Sequence, residues 1–209
     1  MSAVIRRPSP SAVGVARIAS GTIVIAILIY AYVLRLAAGD ANPFDYFGYF
    51  TNQTSLISSV TLITTGAFTL AGRNAPLALT TLRALATSYL LVVAVIYNLL
   101  VPGTGSAPPW VSVILHVVFP LLVALDWALI GDRPRLRWSR LWLLLPYPLL
   151  WLAVVLARGA TDGWVPYGFL LPEHGIASLL AHIVGLLVTV IASGALVWWA
   201  SRLPGMRLR

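Results

Sequence analysis

Six apolar stretches, approximately 17–38, 48–71, 79–101, 110–130, 139–158 and 175–200, constrain this 209-residue chain more than any other feature. Roughly 20 apolar residues, rising 1.5 Å each, cross about 30 Å of hydrocarbon as a helix. A backbone in that layer must satisfy its own hydrogen bonds, which a helix does. The expectation is an all-α, polytopic membrane protein with six transmembrane helices over 17–200 and cytoplasmic tails over 1–16 and 201–209. Composition agrees, with 59% hydrophobic and 10% charged residues and a mean hydropathy of +0.90. The joints carry helix breakers, among them Asn42-Pro43, Gly72 to Pro76, Pro102 to Pro109, Gly131 to Pro134 and Gly159 to Pro172.

Charge orients the bundle. All 14 basic residues are arginine. An inside amino terminus puts Arg6, Arg7, Arg17, Arg73, Arg83, Arg133, Arg135, Arg137, Arg140, Arg202, Arg207 and Arg209 on the cytoplasmic side, leaving Arg35 and Arg158 outside. Positive residues concentrate in cytoplasmic loops, so this asymmetry predicts both termini inside. The net charge of +8 then points to membrane lipids as partners rather than nucleic acid, because the arginines form no aromatic-interleaved basic face. A signal peptide fits the first run poorly, being shorter than 20 apolar residues and unbroken by a residue such as Arg35. No internal repeat supports an inverted-repeat transporter. With no cysteine, disulfides, thiolate metal sites and thiol nucleophiles are excluded.

Polar residues then become informative, since hydrocarbon makes them costly. The second run opens on Tyr49-Phe50-Thr51-Asn52-Gln53-Thr54-Ser55. Thr51, Thr54, Ser55 and Ser58 recur at helical spacing and share one face. In the sixth run Ser178, His182, Gly185 and Thr189 form a comparable seam. Runs two, four and six all enter from outside, which puts Thr51 roughly 5 Å, His116 roughly 9 Å and His182 roughly 10 Å below the outer boundary. Tyr97, Asn98 and Arg158 reach the same stratum. Two readings stand for these hydroxyls: the wall of a polar pocket, or a packing face whose hydroxyls bond back to carbonyls four residues earlier. An intramembrane histidine is a functional candidate by default, although a neutral imidazole also bridges helices.

Asp126 lies ten residues beyond His116, too deep to orient it. It marks the inner membrane shoulder, paired with Arg83 or an arginine of 133–140. Arg158 is either an interfacial side chain or an anchor for a ligand's oxyanion or carboxylate. Pro120 interrupts run four, and Pro146 and Pro148 are expected to kink run five around Tyr147 and open the bundle interior. His116, His182, His174 and Glu173 follow no metal-ligand spacing, so neither a metal nor a cofactor is expected.

Phe50-Thr51 heading a helix, Tyr97-Asn98-Leu99 ending another, and His116 followed by Pro120 and Asp126-Trp127 resemble the bacterial Pr-six-Pr membrane proteins. Pro146-Tyr147-Pro148, Arg158-Gly159 and Gly163-Trp164-Val165-Pro166-Tyr167 extend the resemblance over roughly residues 17–200. That family is related to the animal androgen-induced protein and its androgen-dependent homologue, atypical threonine hydrolases of fatty acid esters of hydroxy fatty acids. The resemblance implies a bacterial cytoplasmic-membrane protein with Thr51 as nucleophile, His116 as its partner and a lipid ester as substrate. On that reading Asn52, Tyr97, Asn98, Arg158 and His182 are the candidates for oxyanion or substrate contacts, and Asn98 or Tyr97 holds the imidazole tautomer. A small membrane binding or transport protein for a solute or lipid, without hydrolase activity, is the alternative; a scaffold whose inner arginines meet anionic lipid is a third.

Overall fold

The computed structural model describes residues 9–206 and 208; Arg6, Arg7, Arg207 and Arg209 of the expected tails lie outside them. The chain is all-helical. Its elements are α1 (Pro10–Ala37), α2 (Pro43–Gly48), α3 (Phe50–Leu70), α4 (Leu77–Leu100), α5 (Pro109–Val113), a π turn (Ile114–Val118), α6 (Phe119–Leu129), a 3-10 segment (Trp138–Leu144), α7 (Pro146–Thr161) and α8 (Ile176–Ala200). Short 3-10 turns at Gly168–Leu170 and Pro172–His174 lie between α7 and α8. Among the described residues five segments are long and apolar enough to cross a membrane: α1, α4, Pro109–Leu129, Trp138–Thr161 and α8. With 21 residues α3 has comparable length, but 11 of them carry hydroxyls or amides.

Burial explains how α3 tolerates that polarity. It lies against α1 and α4, and Thr54, Thr61, Thr65 and Thr69 each donate to the carbonyl four residues earlier at 2.7–2.9 Å. Each hydroxyl so bonded presents only its methyl group to a neighbouring helix. Close approach does the rest, because lipid tails offer no hydrophobic drive for helices to associate and packing must supply it. A Cβ on Gly66 would meet the Gly14 carbonyl oxygen at 2.7 Å, and one on Gly21 the Ser59 oxygen at 2.6 Å. The small residues are thus the contact itself.

Two apolar clusters flank this polar spine. One joins Val24, Ile27 and Leu28 of α1 to Leu62, Leu90, Leu115, Phe119 and Val123. The other joins Phe50 and Tyr89 to Trp151, Leu152 and Val155 of α7 and Val190, Val197 and Trp198 of α8. Opposite ends of the bundle hold separate charge groups. At one, Arg17 reaches Asp126 at 2.8 Å and also pairs with Asp132, while Arg83 reaches Asp132 at 2.8 Å and Asp126 at 3.8 Å. At the other, Arg158 pairs with Asp45 and Asp162 at 2.8 and 2.7 Å.

Several expectations are corrected by this packing. Helix α1 begins at Pro10, capped by the Ser9 hydroxyl on the Ala12 N–H at 3.1 Å, so residues 10–16 are helix rather than tail. Arg17, expected at the cytoplasmic surface, is 2% exposed inside the charge group. The Met206 N–H donates to Leu129 at 2.6 Å and the Gly131 N–H to Met206 at 2.9 Å, so residues 203–206 are tied to the end of α6. Pro146 starts a helix rather than kinking one. It occupies the first turn of α7, where a missing N–H costs nothing.

Candidate functional site

The site grows from the start of α3. Asn42 caps α2 by accepting from the Phe44 N–H at 3.0 Å, and the Asn52 amide donates to the Tyr46 carbonyl at 2.7 Å. These bonds fold α2 back on α3 and fix the first turn that carries Thr51. Unlike the threonines further along α3, Thr51 does not spend its hydroxyl on a carbonyl of its own helix. Its Oγ1 lies 3.4 Å from His116 Nε2, with Thr51 7% and His116 9% exposed.

The histidine is aimed by its backbone. Pro120 has no N–H to offer the His116 carbonyl, and the preceding turn widens so that the Phe119 N–H reaches Ile114, five residues back. Such π turns are rare and concentrate at functional positions. The freed His116 carbonyl accepts from the Asn98 amide at 3.4 Å. His116 Nδ1 lies 2.8 Å from the Ser112 carbonyl oxygen. A carbonyl only accepts, so Nδ1 carries the hydrogen and Nε2 presents its lone pair to the Thr51 hydroxyl. Tyr97 stacks on the imidazole with centroids 3.5 Å apart and planes 8° from parallel. Tyr97 therefore fixes the ring plane and the Ser112 carbonyl fixes the tautomer.

Beside the pair is a cavity of about 60 Å³, lined almost wholly by apolar groups. Thr51 and Tyr97 sit at one side, Trp151 and Leu152 of α7 and Leu186 and Val190 of α8 at the others, and Tyr167 of the α7–α8 connection closes it. A second, open groove of about 750 Å³ runs between α2 and α7, with Gln53, Tyr147, Leu150, Val154 and Arg158 on its walls. Trp151 borders both spaces and donates to the Gly48 carbonyl at 2.8 Å.

The remaining candidates do not converge on Thr51. Asn52 and Asn98 use their amides on carbonyls, as above. Arg158 lies in the open groove, held by Asp45 and Asp162 and stacked over the Trp164 ring at 4.3 Å; the Trp164 N–H and Arg158 keep the Asp162 carboxyl below the usual carboxylate range. Two carboxylates already neutralise that guanidinium, so it is not an open anion anchor. His182 donates to the Ser178 carbonyl at 2.8 Å and lies against Phe169, which separates it from the cavity. The seam Ser178–Thr189 is not the cavity face of α8, and Thr189 bonds back to Gly185 at 2.8 Å. Asp126 pairs with Arg17, a partner that sequence pairing with Arg83 or the 133–140 arginines omits. Among the described residues no three side chains of the metal-binding types come together. Sequence reasoning also passed over Ser112, whose part is played by its carbonyl and carries no residue-type signal.

Comparison with family models, curated proteins and solved structures returns no match. What the site does must follow from its own geometry.

Proposed function

We propose that this chain is an intramembrane lipid-ester hydrolase with a threonine nucleophile, built as six spans with both termini inside, in a bacterial cytoplasmic membrane. The observation that carries the proposal is the Thr51 Oγ1 to His116 Nε2 contact of 3.4 Å, with Nδ1 bonded to the Ser112 carbonyl. A threonine hydroxyl is a weak nucleophile until a base takes its proton, and nucleophile–base pairs are commonly looser at rest than the 2.6–3.2 Å of the reacting complex. The twelve-to-two arginine asymmetry supports the topology, and α3 crosses as the sixth span because it is packed inside the bundle with Thr54, Thr61, Thr65 and Thr69 bonded back to its own backbone.

In the reaction Thr51 Oγ attacks the ester carbonyl carbon and its proton passes to His116 Nε2. The tetrahedral intermediate collapses, the carbon–oxygen bond to the alcohol breaks, and the leaving oxygen takes the proton back from His116. Water, activated by the same imidazole, then frees the acyl group from Thr51. The Ser112 carbonyl stabilises the charged imidazole as it forms, a part that carboxylates play in water-exposed triads. The apolar cavity excludes water from the acyl side, and the open groove, bordered by the exposed side chains of Leu150 and Val154, admits lipid chains.

Labelling with a fluorophosphonate tests this. The parent protein takes the label, and Thr51→Ala and His116→Ala do not while keeping the parent's thermal unfolding profile in detergent. A parent that neither labels nor cleaves any of a broad panel of lipid esters overturns the hydrolase and leaves a binding or transport protein.

A further inference from the structure

The Thr51–His116 pair lacks one part that ester cleavage needs: a donor for the charge that develops on the carbonyl oxygen. Asn52, Asn98, Arg158 and His182 are all committed elsewhere, as their partners show. Two phenols on the cavity wall are left, and since the Tyr97 oxygen is drawn off to the Gly103 N–H at 3.1 Å while its ring stacks on the imidazole, the choice falls on Tyr167. Resting on the hydrolase reading, we propose that Tyr167 is the oxyanion donor of this site, its phenol O–H directed at the carbonyl oxygen of the ester that Thr51 attacks.

Placement comes first. Tyr167 and Thr51 line the same small cavity. The ring is held from three sides, by Tyr49 with centroids 5.8 Å apart, Trp151 at 5.9 Å and Phe169 at 5.5 Å. The segment that carries it is pinned over the head of α3. Trp164 packs against Gly48, where a Cβ would collide with the indole, and Arg158 lies over the indole ring. Leu170, three residues beyond Tyr167, is fully buried. An aromatic ring so surrounded presents its hydroxyl in one direction.

Tyr49 is the N-cap of α3, and Phe50 and Thr51 share the cavity wall with Tyr167, so the ring stands at the first turn of that helix. The Thr51 side chain and the Phe50 and Thr51 N–H groups are near enough to act on the phenol. Helix α3 has no side-chain cap of its own, and the phenol stands beside the positive end of this 21-residue helix. Burial pushes the phenol's ionisation up, and the Thr51 groups and the Phe50 N–H pull against it without reversing it. The phenol keeps its proton and so can donate it.

The carbonyl of a bound ester, attacked by Thr51 Oγ, puts its oxygen next to that hydroxyl and on the side away from His116. As the new carbon–oxygen bond forms, the carbonyl π pair moves to oxygen and Tyr167 O–H donates to it without giving up the proton. The pair returns when the alcohol leaves. Tyr167 therefore stabilises the intermediate and is unchanged by the cycle.

The test compares parent, Tyr167→Phe and Thr51→Ala full-length proteins in the same detergent, using a p-nitrophenyl ester of a medium-chain acid. Loss of one oxyanion donor costs about 10²–10³ in turnover, so Tyr167→Phe is expected to lower kcat by that factor with KM within about twofold. A residue needed only for packing would move KM and thermal stability instead. Turnover of Tyr167→Phe within about threefold of the parent, with Thr51→Ala inactive, overturns the Tyr167 proposal and leaves the hydrolase standing. An inert parent, or an active Thr51→Ala, removes both. Should Tyr167→Phe fail to fold, replacement of Tyr167 by 3,5-difluorotyrosine keeps the ring and makes the phenol more acidic; the alkaline limb of the rate profile then moves to lower pH, and an unmoved profile overturns the proposal.

Discussion

The charge group of Arg17, Arg83, Asp126 and Asp132 and the pair of Thr51 and His116 both bury polar atoms within one bundle, yet they are built on opposite rules. In the first, two cations face two anions across α1, α4, α6 and the residues after α6. In the second, a hydroxyl and an imidazole face each other beside an apolar cavity. The difference follows from desolvation. A full charge in low dielectric costs several kcal/mol unless a partner answers it, so buried ions come matched and tightly placed. A hydroxyl and an imidazole cost far less and can be kept unspent. The charged group holds helices together, and the neutral one stays available for chemistry.

The largest consequence is in stability. Arg17→Ala removes the strongest partner of Asp126 and one of two partners of Asp132, leaving buried carboxylates under-compensated. We expect a loss of about 3–5 kcal/mol in unfolding free energy, the range for breaking a buried pair from one side. Thermal or denaturant unfolding in detergent measures it. Fluorophosphonate labelling of the fraction that remains folded is expected to match the parent, because no residue of the charge group touches the cavity. A loss below about 1 kcal/mol would show that the group is not what joins these helices.

Acid addresses the same group more gently. Burial alone raises the Asp132 carboxyl, but Arg83 and Arg17 outweigh it and hold the group down at about 2, against an ordinary value of 3.8. A lowered carboxyl stabilises the fold when ionised, so its contribution is complete above about pH 4 and disappears as pH falls through about 2. A shift of this size corresponds to about 2 kcal/mol. Unfolding midpoints taken between pH 5 and 2 should fall for the parent, and Asp132→Asn, already less stable, should show a shallower decline. Equal slopes in the two proteins would remove Asp132 as the acid-sensitive group.

How far these two regions are visible in the sequence differs for the same physical reason. Spacing and hydropathy place Thr51 and His116 at one depth, because a helix converts residue number into distance, and all six apolar runs became helices. Asp126 near the end of its apolar run with an arginine partner is also accessible this way. Arg17 is not, since a single arginine at the head of an apolar run reads as a membrane-surface residue until a third helix brings acids to it. Side-chain periodicity likewise misjudges α8, whose serine and threonine hydroxyls are spent on their own backbone or turned from the cavity. Tyr167 sits in a connection with no periodicity at all, and its position depends on Gly48 admitting Trp164. The orientation of His116 was least accessible, because a backbone carbonyl and a widened turn supply it.

That widened turn leads to the smallest effect. Pro120→Ala restores an N–H able to bond the His116 carbonyl, and with it the ordinary helical turn that the π geometry replaces. Closing the turn shifts the residues before it around the helix axis and carries Nε2 away from Thr51 Oγ1. Displacements of an ångström in a reacting pair are costly in rate. We expect turnover to fall about tenfold, equivalent to about 1.4 kcal/mol of barrier, with unfolding free energy unchanged or slightly raised. Labelling rate and thermal unfolding measured side by side decide it. Unchanged labelling would mean that stacking on Tyr97 and the bond to Ser112 hold the imidazole whatever the backbone does. The expected fall would instead place control of the base in a proline that touches neither reacting group, in contrast to the charge cluster, where the interacting side chains set the geometry themselves.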